Sequence, residues 1–95
     1  MTSGKTPDAD SATVALMALS WILQDQTLAE RFLDLTGLLP DDLRAGLDRR
    51  EIQSAILEFL AGNDADLVAA ADGLGLAPER IVAARDNLTG RTFEF

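Results

Sequence analysis

One stretch of this chain occurs twice. Gly37-Leu38-Leu39-Pro40-Asp41-Asp42-Leu43-Arg44-Ala45 returns, loosely, as Gly75-Leu76-Ala77-Pro78-Glu79-Arg80-Ile81-Val82-Ala83, 38 residues later. Each copy reads as helix stop, hydrophobic clip and helix start. Glycine takes the left-handed conformation past a helix end without a Cβ clash. Leucine then folds back on the helix, and proline opens the next one, where its missing N–H costs nothing. Asp41 and Asp42 suit the positive end of that helix. Each turn follows an acid-capped apolar segment, Asp25 with Leu28 and Leu35, then Asp64 with Leu67 and Leu74. Leu19, Trp21 and Ile22 match Leu57, Phe59 and Leu60 at the same offset. The recurrence predicts two similar three-helix units, about 14–47 and 52–85, in one compact all-α bundle of about six short helices. Convergent use of Asp, Gly and Pro at helix ends is the competing explanation.

Composition agrees with helix. Of the 95 residues, 47% are apolar, and alanine and leucine prevail over valine and isoleucine. No alternating run of strand length appears. A chain of this length forms one domain with a modest core.

The first helix is expected from a cap at Asp10 or Ser11 to about Gln24, after a disordered lead-in over 1–9. Its stripe of Val14, Met17, Ala18 and Trp21 points inward, yet Leu16, Leu19, Ile22 and Leu23 make it apolar almost all round. Such a helix is central or covered by a partner. Asp25 caps the second helix, with Leu28, Phe32 and Leu35 inward. The third ends near Gly46 or Leu47. Asp48-Arg49-Arg50-Glu51 reads as a capping box for the fourth, which carries Ile52, Ile56, Phe59 and Leu60 to Gly62. Asn63 or Asp64 caps the fifth, with Leu67, Val68 and Ala71 inward and Gly73 and Gly75 as breakers. Pro78 opens the sixth, with Ile81, Val82 and Leu88, and Gly90 closes it. The domain spans 10–90. Residues 91–95 form a tail whose Phe93 and Phe95 are candidates to dock on the body.

Ala15-Leu16-Met17-Ala18-Leu19-Ser20-Trp21-Ile22-Leu23, Leu28-Ala29-Glu30-Arg31-Phe32-Leu33-Asp34-Leu35-Thr36-Gly37-Leu38 and Pro40-Asp41-Asp42-Leu43-Arg44 together resemble a family of small alphaproteobacterial proteins known as a domain of unknown function. The resemblance spans about residues 12–88 and rests on core and turn residues. It implies a helical cytoplasmic protein with no assigned activity, and it carries over no catalytic residue.

Charge and residue types narrow the function. Eight basic residues face 16 acidic ones, a net charge of -8, which repels phosphate backbones and anionic lipid. The chain has no cysteine and no histidine, so thiolate metal sites and the usual nucleophile–base pairs are unavailable. The apolar run Ala12–Leu23 is too short to span a bilayer, and no signal peptide is convincing; a cytoplasmic location is expected.

Asp8 to Thr13 carries oxygens at alternate positions, but Thr13 and Leu19 stand where a calcium loop needs glycine and glutamate. Asp10-Ser11 is similar to the arm-bearing site of an acyl carrier protein, but Ala12 replaces the usual leucine and no helix lies upstream. The acid pairs Asp41/Asp42 and Asp64/Asp66 lie in first helical turns, where acids are ordinary. The two Gly-Leu-x-Pro turns, with Arg44, Arg49 and Arg50, would suit helix-hairpin-helix nucleic-acid binding, but Asp41, Asp42, Asp48 and Glu51 neutralise the patch.

No catalytic, cofactor or metal residue is assigned, and no enzyme activity is expected. The reading is a non-catalytic interaction or regulatory module that binds another protein or itself, with no membrane and no small-molecule substrate. Nucleic-acid association through the hairpin turns is the alternative, and then an acyl-carrier-like or enzymatic role. The candidate contact residues are Leu16 and Leu23, off the first helix's inner stripe, and Leu57, off that of the fourth. Exposed apolar residues among acids are what a protein-binding patch looks like.

Overall fold

A computed structural model describes residues 7–90, with side chains from Asp10 onward. The described chain is all-α: α1 (Pro7–Leu23), α2 (Gln26–Thr36), α3 (Pro40–Gly46), α4 (Arg50–Ala61), α5 (Asp64–Leu74) and α6 (Pro78–Thr89). The Phe93–Phe95 tail and residues 1–6 of the lead-in lie outside the described residues.

Local cap chemistry sets most of these ends. Asp25 accepts from the Leu28 N–H at 3.0 Å, and Asn63 accepts from the Asp66 N–H at 3.0 Å. Gly37 and Gly75 stand in the left-handed region at φ 74° and 70°. Asp42 reaches back to the Leu39 N–H at 2.9 Å across the Pro40 start. Two cap assignments are corrected. The helix opens at Pro7, so Asp10 and Ser11 lie inside α1 rather than at its cap. Arg49, not Asp48, is the N-cap of α4, and it gives no side-chain cap bond. Proline's fixed φ suits a first helical position, which explains the earlier start of α1.

The helix ends from Leu23 to Pro40 recur at Ala61 to Pro78 with the constant offset of 38, without the inserted and deleted residue that aligning Leu28 with Leu67 requires. The packing does not recur. The last described helix, α6, packs mainly on α1 and α4, whereas α3 makes no extensive contact with another helix. α3 has 7 residues and α6 has 12. Only Leu43 and Gly46 of α3 are buried, so the two halves share their punctuation and differ in their third helix.

The core gathers Val14, Ala15, Ala18 and Ile22 of α1, Phe32 of α2, Ile56, Leu57 and Leu60 of α4, and Ile81, Ala84 and Leu88 of α6. Phe32 meets Phe59 edge to face, with centroids 5.3 Å apart and an interplanar angle of 76°. Phe59, Trp21 and Leu67 are half-buried against this cluster. Polar links also brace the helices. Asn87 donates to the buried Ser11 Oγ at 3.2 Å, joining α6 to α1. Arg50 donates to the Asn87 and Leu88 carbonyls, where a cation also favours the end of α6. Gln53 donates to the Leu47 carbonyl at 2.9 Å, closing the α3–α4 turn.

Gly73 differs from its expected role. It does not break α5, which continues to Leu74. A Cβ at Gly73 would lie 2.6 Å from Trp21 Nε1, so the missing side chain is what lets the indole lie against α5. Gly73→Ala should therefore cost about 1–2 kcal/mol in urea unfolding through overpacking. In a Trp21→Ala background the same change should stabilise by up to about 1 kcal/mol, because alanine is the better helix former. The same sign in both backgrounds would show that Trp21 does not limit the site.

Candidate functional site

α1 packs on α2, α4, α5 and α6, and one face is left over. Thr13, Leu16, Met17, Ser20, Leu23 and Gln24 are exposed along it. Leu16 is 41%, Met17 37% and Leu23 50% exposed. From Ser11 to Gln24 the sequence has no charged residue. On most surface helices charge accumulates opposite the buried stripe; here the outer face is leucine, methionine and small polar groups. Because the opposite face of α1 is locked in the core, this one is presented rigidly.

The three candidate contact residues separate. Leu16 and Leu23 lie on this face. Leu57 does not: it is fully buried, which corrects its assignment as an exposed contact. Both α1 and α6 pack on α4, so a second stripe, Gln53, Leu57 and Leu60, is covered along with Ile52 and Ile56. Met17, expected inward with Val14 and Ala18, joins the exposed face. Two further inward assignments are corrected. Leu35 is 71% exposed because α3 does not return over the last turn of α2, and Val68 is 58% exposed because it shares a face of α5 with Asp64 and Asp72.

A groove of about 600 Å³ between α2 and α4 was not evident from sequence. Phe59, Leu35 and Ala55 line it, with Glu58 and the α5 cap residue Asn63. The Arg31 guanidinium sits 5.6 Å above the Phe59 ring and is ion-paired to Asp66. A cation held on an aromatic face is a modest stabiliser, and the ion pair ties α2 to α5. The sequence hint was the polar Arg31 beside Phe32; what it lacked was the turn that brings Asp66 within reach.

Other readings lose support in the geometry. Ser11 is fully buried within α1, closed to the long arm an acyl carrier serine must hold. Residues 8–13 are helix rather than a calcium loop. Arg44 pairs with Asp41 at 2.6 Å, Arg49 with Glu51 at 3.8 Å, and Arg50 is turned to the end of α6. The cations of the supposed phosphate-binding patch are thus already engaged. Among the described residues no group of three or more acidic side chains is placed to hold a metal ion, and no helix is long and apolar enough to cross a membrane.

The molecule is thus a small all-α bundle with an uncharged apolar face on its hub helix. It belongs to the family described as protein of unknown function (DUF3572), whose model matches residues 8–91. No curated protein and no solved structure matches the chain.

Proposed function

We propose that the protein is a non-catalytic interaction module that acts by contact with another protein through the outer face of α1. The observation that carries this reading is the exposure of Leu16, Met17 and Leu23 on a stretch without a charged residue. In a chain with 25% charged residues, such a face keeps an apolar surface in water that the fold itself does not use. A rigid helix face also binds with little ordering cost, since its backbone is already fixed. Helix-on-helix or helix-in-groove packing is the mode it suits. Nucleic-acid association through the Gly-Leu-x-Pro turns has less support, because Arg44 and Arg49 beside the first turn are paired with Asp41 and Glu51, and Arg50 is bonded to the end of α6.

Leu16→Asp and Leu23→Asp should each abolish association with the protein partner, read by cross-linking of tagged protein in native extract. Each should keep the far-UV circular dichroism and thermal midpoint close to those of the parent. Association that survives both substitutions would remove α1 as the contact surface.

A further inference from the structure

We infer that the occupant of the α1 face is a second copy of this chain, with the two α1 helices packed antiparallel about a two-fold axis near Ser20. The inference rests on the surface-contact reading above and names its partner.

Charge is the first ground. At a net charge of -8, two copies repel over most of their surfaces. They approach most easily where neither carries charge, and Thr13–Gln24 of α1 is such a face. A basic partner would instead be met by acids within the patch, and the face has none.

Spacing is the second. A two-fold contact must be self-complementary, so each residue i that meets j is matched by j meeting i. Leu16, Ser20 and Leu23 follow one another along the exposed stripe, and read in reverse they are again leucine, serine, leucine. An axis near Ser20 sets Leu16 of one copy against Leu23 of the other, twice. The small serine at the crossing lets the backbones approach, and Met17 fills the flank.

Area sets the strength. The face offers three large apolar side chains, each 37–50% exposed. That is well short of the roughly 800 Å² per partner of a standard interface. The dimer is therefore weak and dissociates on dilution, in the range of about micromolar to millimolar.

Sedimentation velocity of the full chain, over a concentration series up to about 1 mM, tests this. Wild type should shift from monomer toward dimer. The shift should grow between low salt and ~0.3 M NaCl, because screening removes repulsion without weakening apolar contact. Leu16→Asp and Leu23→Lys should each be monomeric. The double variant Leu16→Asp/Leu23→Lys should dimerise again, now more weakly at high salt, because the antiparallel pairing sets the introduced acid against the introduced ammonium. A parallel pairing would set like against like and give no rescue.

A wild-type chain that stays monomeric throughout overturns the second copy as occupant, as does dimerisation unaffected by either single change. Failure of the double variant to recover, with its helicity intact, overturns the antiparallel pairing. If wild type is monomeric but Leu23→Asp still abolishes contact with another protein, the surface-contact reading stands and this one falls. If neither assay responds to α1 substitutions, both fall.

Discussion

Phe32→Ala is expected to lower stability by about 3–5 kcal/mol in urea unfolding, the usual range for removing a fully buried aromatic ring. Phe32 has no exposed surface. It is one of only two buried residues on α2, with Leu28, so it is much of what holds that helix to the body. Its ring also receives Phe59 edge to face, a contact worth about 0.5–1.5 kcal/mol beyond burial. Domains of this size have about 5–15 kcal/mol in total, so the loss is a large share of what holds the chain folded. Phe59→Ala should cost less, nearer 2 kcal/mol, because Phe59 lines an open groove and already meets solvent. A Phe32→Ala loss below about 1 kcal/mol would mean that α2 is held chiefly by the Arg31–Asp66 pair.

The difference between those two phenylalanines shows what the sequence can reveal. Both lie at helical spacing with leucine and isoleucine, and both read as core. Which is sealed depends on what comes to rest over it, and that is decided by non-local packing. Helix ends are different. The Asp25 cap, the left-handed Gly37 and the Pro40 start involve residues within one turn of each other, so they are legible from spacing alone. Gly73 shares its residue type with Gly75 but not its role. Gly75 ends α5 by a positive φ, and Gly73 admits the Trp21 ring of α1. Leu16 and Leu23 were legible as surplus because α1 is apolar on more sides than a small bundle can cover. Leu57 was not, since α4 buries an arc wide enough for two stripes. Leu35 failed in the opposite sense: it read as inward, but α3 does not return over it and it is left exposed.

Leu57→Asp is expected to unfold the chain, with loss of far-UV helical signal at 25 °C, while Leu23→Asp keeps it folded. The two substitutions are chemically the same and differ in where the carboxylate goes. Leu57 has no exposed surface on a helix against which α1 and α6 both pack. An ionised carboxylate there costs several kcal/mol in lost hydration with no cation built to receive it, and the cavity and strain of replacing leucine add to that. Together these reach the whole stability of a small domain. At Leu23 the carboxylate stays in water, since the side chain is half exposed at the end of α1. Its cost there is the repulsion between an acid and the negative end of the helix, about 0.3–1 kcal/mol, and Leu23→Lys should reverse that sign. A Leu57→Asp chain that melts cooperatively near the wild-type temperature would mean that the second stripe of α4 opens to solvent. α4 would then have apolar surface of its own to offer a partner, and loss of contact in the Leu23 variants would have to be weighed against the same measurement on α4.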